Sequence, residues 1–362
     1  MYCMNLTKII IAVVLYTLFF FIGYNWGQTS KNIEDVTVLS VEASSSTEAD
    51  QSIRNLLKES FPLITDKTIN KILATRDIEA IDKDENNSGS DGVFYRFKYS
   101  IPPNYLVDTA KILWELNIPE FKSRIFQLYQ KDTILIDVWN NVVGTIKDKT
   151  YTGNFEAYKI RNWPSWKDPE PGKENLPPVP PGPNNPLGLF VVHYDENSLR
   201  YFHGTNKPHL LNNKMRNLSH GCVRNENENI QKMKEFIIKK IIKSKDLSFW
   251  LESKKTMEYV LEKNERFPVK IIYKTYRIDR DEKGLYIELY KDIYGYTNSR
   301  PSDKYNDNTL IFTTSRESIS SELKANAPDL SDEKIENLTG YILKKCKEYE
   351  RYYIKDLIEE LN

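Results

Sequence analysis

The chain has 362 residues, enough for two or three domains with a sizeable core, and its lysines plus arginines equal its aspartates plus glutamates at 51 each. That balance excludes a whole-molecule field for nucleic acid, and no long single-sign tail supplies a local one. Three cysteines far apart in sequence (Cys3, Cys222 and Cys346), with no C-x-x-C, exclude a zinc site built from cysteine pairs and argue against a disulfide scaffold.

Residues 9–22, IIIAVVLYTLFFFI, form a charge-free apolar run behind Lys8, and Gly23, Tyr24 and Trp26 extend it with interfacial character. No small-x-small cleavage site follows. The run predicts an uncleaved signal-anchor over residues 1–27 that meets the inner membrane through residues 8–26; a cleaved secretory signal and a buried core helix are the alternatives. In an exported protein an isolated cysteine asks for an explanation, and a reactive thiol is one. Residues 28–50 are serine-rich and polar and read as a linker. SIRNLLKESF and KTINKILAT have helical spacing around Pro62, DKDENNSGSDG (82–92) reads as a loop, and VFYRFKY (93–99) places Val93, Tyr95, Phe97 and Tyr99 on one strand face. YLVDTAKILWEL and FKSRIFQLYQ read as amphipathic helices flanking Pro119, which makes residues 51–130 a mixed α/β N-terminal region of open role.

From Thr133 the texture turns to short β-like runs: TILIDVW, VVGTIK, FEAYKI, LFVVHY and LRYFH. A proline- and tryptophan-rich stretch, residues 162–188, interrupts them. So much proline favours extended backbone, and Trp163 and Trp166 argue against disorder. NIQKMKEFIIKKII predicts a helix with the stripe Ile230, Met233, Ile237 and Ile241. PVKIIYKTYRI and LYIELY predict two strands around a turn at Asp279–Gly284. From Asp332 a helix carries Ile335, Leu338, Ile342, Cys346, Tyr349, Tyr353 and Leu357 on one stripe, with Cys346 as a buried structural thiol. The fold class is α+β. A β-rich domain over 131–296 ends in the strand pair, and a helical extension follows over 297–362.

The chemistry concentrates in SHGCVRN, residues 219–225, in a chain with four histidines. A cysteine attacks as its thiolate, so it needs a neighbour that lowers its pKa or takes its proton. His220 is adjacent in sequence. His203 ends LRYFH, where the strand meets Gly204, and 15 residues separate it from Ser219. From that place it can face a cleft while a backbone carbonyl fixes its tautomer. Gly221 allows successive N–H groups to turn toward one point, and the helix after residue 226 adds its positive end. On these residues alone, a Cys–His acyl-transfer site stands against a packed cysteine.

H-G-T followed by S-H-G-C-V-R resembles the signature of L,D-transpeptidases with the YkuD-type catalytic domain. TYTGNF (150–155) resembles that family's T-P-x-G-x-F, and NPLG (185–188) its N-P-L-G. PVKIIYKTYRID…GLYIELYKDIYGY resembles the strand pair after the catalytic domain in larger, membrane-anchored members. The resemblance spans about residues 133–296. Tyr151 stands where the family usually has proline, and Asn225 where many members carry leucine or methionine.

The resemblance implies that Cys222 is the acylated nucleophile, His203 the general base and the Gly204 carbonyl its orienter, with the backbone of His220, Gly221 and Cys222 as the oxyanion site. It makes Arg224 an arginine that shapes the site or meets substrate carboxylates, with a structural salt bridge as the alternative. Ser219 reads as loop support beside the substrate, Thr205 and His209 as candidate substrate contacts, and His193 as a satisfied core or edge histidine.

The implied reaction releases the terminal D-alanine of a peptidoglycan stem tetrapeptide through a Cys222 thioester and passes the acyl group to another stem's amine, giving 3→3 cross-links in the cell envelope. No metal or cofactor is required. The rivals are resolution by water (carboxypeptidase or endopeptidase), attachment of protein to the wall, and an inactive wall-binding module. A metal site drawn from His203, His209, His220 and Cys222 is conceivable by ligand type.

Overall fold

The computed structural model describes residues 36–80, 95–168, 170, 172–244, 246, 249–250 and 252–361. The apolar run 9–22 with its anchor reading, Cys3, the start of the 28–50 linker, the 82–92 loop and Val93 lie outside the described residues. Among the described residues no helix is long and apolar enough to cross a membrane. Two units divide at Ala110 and Lys111.

The first unit answers the helical spacing directly. Strand β1 (Thr37–Ala43) leads into α1 (Ser46–Ser60), capped by the Ser45 hydroxyl on the Glu48 amide, and α2 (Asp66–Leu73), capped by Thr65. Strands β2 (Asp77–Ala80) and β3 (Tyr95–Ile101) complete a three-stranded antiparallel sheet in the order β1-β3-β2. Ala49, Ile53, Leu57, Ile69 and Ile72 from the helices and Phe97, Tyr99 and Ile101 from β3 are buried. The expected linker is therefore structured from Thr37 onward. Val38 and Leu39, in a stretch read as polar, pair with Ser100 and Tyr99.

The second unit corrects the reading of residues 106–130. KILWEL and FKSRIFQLY are strands β4 (Lys111–Asn117) and β5 (Lys122–Tyr129), which form a meander with β6 (Asp132–Gly144). Ile112, Trp114 and Leu116 are buried at a period of two, and this alternation overrides a helical spacing that the same apolar residues also satisfy. A domain boundary at 130/131 would cut the β5–β6 hairpin. Strands β7 (Gly153–Ala157), β8 (Lys159–Asn162), β9 (Phe190–Asp195), β10 (Arg200–His203), β11 (Asn217–Ser219), β12 (Val223–Asn225), β13 (Met257–Val260) and β14 (Phe267–Lys274) extend this sheet. With β17 (Ile311–Phe312) it runs β13-β8-β9-β10-β12-β6-β5-β4-β14-β17, with β11 on β6 and β7 on β14. Helix α3 (Asn227–Phe236) continues through one π-turn, Ile237–Ile242, and buries Ile230, Met233 and Ile237.

The predicted strand pair divides. Its first run is β14, inside the large sheet, and the hairpin β15 (Tyr276–Asp281) and β16 (Gly284–Leu289) starts another. That hairpin shares one core with the C-terminal helices α4 (Arg316–Asn326), α5 (Asp332–Lys345) and α6 (Ile354–Leu361): Ile278, Ile287 and Leu289 pack with Ile319, Leu323, Ile335, Leu338, Ile342 and Leu357. A boundary at 296 would split this core. The expected continuous terminal helix breaks at Cys346. Tyr349 takes φ +64° and β18 (Arg351–Tyr353) pairs with β16, so strand addition outcompetes helix propagation there. Cys346 is half-buried, and burial pushes its thiol up to about 11.

Candidate active site

Strand register sets the site. β10 lies parallel to β12, with Phe202 opposite Val223 and His203 opposite Arg224, and antiparallel to β9, with Tyr201 opposite His193. Side chains alternate across a strand. Phe202 and Val223 are fully buried on the core face, where Phe202 stacks on Trp114 at 3.9 Å between ring centroids. His203 and Arg224 therefore share the opposite face; Tyr201, two residues before His203, follows onto it, and Cys222, in the turn before β12, lies against Tyr201.

His203 is buried, and its Nδ1 lies 2.6 Å from the Gly204 carbonyl. A carbonyl can only accept, so Nδ1 carries the proton and Nε2 keeps a free lone pair. The neighbouring backbone is clamped. Asn227, the first residue of α3, accepts from the Thr205 amide and donates to the Thr205 carbonyl, and its Oδ1 would lie 2.4 Å from a Cβ at residue 204. Asn225 is fully buried; it donates to the His203 carbonyl and accepts from Asn141. The polar residue that departs from the family pattern thus holds the backbone of the proposed base. The NPLG segment acquires a physical account as well. Asn185 Nδ2 reaches the carbonyls of Pro164, Val179 and Pro180 and closes the proline-rich loop at its base. Gly188, at φ +65°, approaches so closely that a Cβ would lie 2.8 Å from Gly204 Cα.

The SHGC turn is tied inward. Ser219 Oγ donates to the Cys222 carbonyl at 2.6 Å and accepts from the Gly221 amide at 3.1 Å, and Thr150 Oγ1 donates to the Gly221 carbonyl at 2.8 Å. Thr150 Oγ1 also accepts from the Gly144 amide, and Tyr294 donates to the Gly144 carbonyl. The Gly221 amide, expected to face an oxyanion, is therefore occupied by Ser219. The amides of His220 and Cys222 are the remaining candidates. The His220 side chain stands between Asp148 and Glu170, 3.6 Å from each, and bridges the turn to the proline-rich loop. Thr205 is buried, and its hydroxyl accepts from the Lys207 amide. His209 is exposed on a short turn, Pro208–Asn212. Among the described residues no hydrogen bond joins it to Cys222 or His203, and no group of three or more His, Cys, Asp or Glu could hold a metal ion.

Cys222 Sγ lies 3.7 Å from the Leu199 carbonyl, an arrangement for a protonated thiol. Burial pushes the thiol above its ordinary value, against the opposing pull of Tyr201, Arg200 and Arg224. Burial, with Arg224, brings His203 down to about 3 although the Gly204 carbonyl favours its charged form. Both shifts favour the neutral forms of these two groups, against the alternative in which the imidazole ionises the sulfur in advance. The proton would instead leave sulfur as the bond to substrate forms.

His193 is buried beside the rings of Tyr201 and Tyr158, and its Nε2 has no hydrogen-bond partner, so the expected satisfied histidine is unsatisfied. Burial, then Lys159 and Arg161, holds it down to about 3. For His193 and His203 the folded value lies below the unfolded 6.5, so the unfolded chain binds more protons between pH 6.5 and about 3 and stability falls as pH falls through that window. Each group is expected to cost about 2 kcal/mol at pH 5. Melting curves at pH 7 and pH 5 check this, and His193→Phe is expected to remove about half of the acid loss.

Residues 116–242 match the family model of the L,D-transpeptidase catalytic domain (YkuD). No curated protein matches the chain. Solved structures similar to it include an L,D-transpeptidase from Mycobacterium smegmatis (13% identity over 57% of this chain and 86% of that one, TM-score 0.27). L,D-transpeptidase 3 from Mycobacterium tuberculosis aligns at 10% identity over 65% and 91%, TM-score 0.28. The helical cell shape determining protein Pgp2 from Campylobacter jejuni aligns at 10% over 70% and 68%, TM-score 0.26. The resemblance carried by HGT and SHGCVR is borne out: residues 116–242, which hold both motifs, match the YkuD L,D-transpeptidase catalytic domain.

Proposed function

We propose that the protein is a cell-wall L,D-transpeptidase in which Cys222 and His203 carry acyl transfer. One observation supports this most: the residue that resembles the family's base stands on the strand beside the cysteine, with Nδ1 held by the Gly204 carbonyl and Nε2 free.

In the first half-reaction Cys222 Sγ bonds to the carbonyl carbon of the third residue of a stem tetrapeptide as its proton passes to His203 Nε2. The carbonyl electron pair moves to oxygen, where the amides of His220 and Cys222 are the available donors. Collapse breaks the bond to the terminal D-alanine, whose nitrogen takes the proton from His203 and leaves a thioester. In the second half an amine of another stem attacks the thioester and gives its proton to His203; the C–S bond breaks, His203 returns the proton to the Cys222 sulfur, and a 3→3 cross-link is left. None of these steps calls on a metal or cofactor. Arg224, half-buried beside His203 in the register, would meet a substrate carboxylate, and the proline-rich loop would cover the donor stem. The apolar run 9–22 would hold the domain on the outer side of the inner membrane, facing the wall.

Intact mass after incubation with a tetrapeptide stem tests the donor half. The expected result is an adduct on Cys222 with loss of D-alanine, absent from Cys222→Ala. No adduct under any condition would leave a binding module. Muropeptide analysis then separates new dimers, the expected product, from trimmed stems or protein adducts, which would assign the thioester to water or to a protein amine.

A further inference from the structure

The sequence pointed to Arg224 as the arginine of the site. The structure brings a second one closer to the nucleophile turn. Arg200 opens β10 at a register shift between Arg200 and Tyr201, which frees it from the alternation of the strand. Its Nε donates to the Lys149 carbonyl at 3.2 Å, Nη1 donates to the Ser198 carbonyl at 2.8 Å, and the guanidinium lies 5.0 Å from the Tyr151 ring centre. Its plane rests on Gly221: a Cβ there would lie 2.1 Å from Nε and 2.5 Å from Cζ. The glycine before the cysteine is thus required by the guanidinium as well as by its φ of +102°.

This cation is not neutralised by an ion pair among the described residues. Its strand-register partner, Asp195, spends its oxygens on the amides of Asn197 and Ser198 and on the Ser198 hydroxyl. The ionisable and charged groups around Cys222 are Tyr194 from β9, Arg200, Tyr201 and His203 from β10, Arg224 from its own strand, and His220 of the turn with Asp148 and Glu170 beyond it. Two of these are permanent cations. Both favour negative charge on sulfur, and Arg224 also disfavours the protonated His203 that must form with it.

We infer that Arg200 is a positioning residue for the nucleophile: clamped on Gly221 by two carbonyls, its guanidinium stabilises the Cys222 sulfur as it loses its proton. The inference rests on the acyl-transfer reading of Cys222. It also gives Arg200 and Tyr151 a joint purpose, since the aromatic ring that replaces the family's usual proline is the surface on which the guanidinium lies.

The test is the pH dependence of iodoacetamide alkylation at Cys222, read by peptide mass in the full-length protein, for wild type, Arg200→Met, Arg200→Lys and Arg224→Met. Loss of an opposite charge at this range disfavours the thiolate, so Arg200→Met is expected to alkylate about tenfold more slowly near neutral pH, with its titration midpoint displaced upward and its rate restored at strongly alkaline pH. Arg200→Lys keeps the charge but cannot hold both carbonyls, and an intermediate loss of about threefold is expected. A purely structural role would lower the melting temperature and alter the rate at every pH while leaving the midpoint in place; that result, or wild-type titration in Arg200→Met, overturns the inference. If Arg200→Met does not fold, Arg200→Lys carries the same comparison. Thioester formation with the tetrapeptide is scored separately on wild type. A displaced titration without thioester overturns the acyl-transfer reading alone, and a thioester with an unmoved titration overturns the role of Arg200 alone.

Discussion

His203→Asn is expected to slow acylation of Cys222 by a tetrapeptide between about a hundredfold and ten-thousandfold, the range that one general base contributes. Asparagine keeps a donor for the Gly204 carbonyl but has no basic nitrogen to take the thiol proton, so folding should survive while proton transfer fails. The profile of the wild-type enzyme is the sharper measurement. Burial and Arg224 keep the imidazole neutral down to about pH 3, and burial keeps the thiol protonated past its ordinary value. Single-turnover acylation should therefore be nearly flat from about pH 5 to pH 8. A thiolate–imidazolium pair formed in advance would show an acid limb inside that range, and such a limb would refute the neutral pair. Acylation is the step to follow, because transfer to an amine adds the titration of the acceptor.

The second large effect concerns stability. Glu120 and Arg124 are both buried and form a two-pronged pair, with Oε1 to Nη2 at 2.6 Å and Oε2 to Nη1 at 2.8 Å, and Asn117 adds a donor. Burial alone would raise the Glu120 carboxyl; Arg124, with Arg277 and Lys122 behind it, holds it down to about 2. Arg124→Met leaves a buried carboxylate without its partner and is expected to cost about 3–5 kcal/mol, roughly 10 °C in melting temperature for a unit of this size. Replacing both residues, Glu120→Leu with Arg124→Met, is expected to recover most of that loss, because two apolar side chains leave no charge to desolvate. A double variant no better than the single one would show that the charges of Arg277 and Asp279 around the pair, and not the pair itself, set the cost.

The family pattern was legible because it is local. HGT and SHGC each lie on one strand end and its turn, where glycine and histidine have few other uses. The short β-like runs between Thr133 and His203 were legible, whereas β11, β12, β13, β17 and β18 were not. What the sequence concealed is relational. KILWEL satisfies both a helical and an extended period, and only pairing with β5 and β14 decides between them. Arg200 reads as an ordinary strand residue until the bulge turns it onto Gly221. Asn225 reads as a departure until its amide is seen on the His203 carbonyl. The protonation of Cys222 and His203 stayed open for the same reason, since burial is a property of the whole sheet and no stretch of residues reports it.

The parallel pairing of β4 with β14 has a consequence for biogenesis. Asn117 and Lys274, which meet there, are 157 residues apart, and β14 lies beyond the segment that matches the family. A ribosome that has delivered every residue of the SHGC turn has still left the β4 edge unzipped, with the backbone from Trp114 to Asn117 awaiting its partner strand. Contacts of such long range form slowly. The nascent chain thus carries an adhesive edge through much of its synthesis, and a truncation at residue 242 should emerge as aggregate in place of a smaller enzyme.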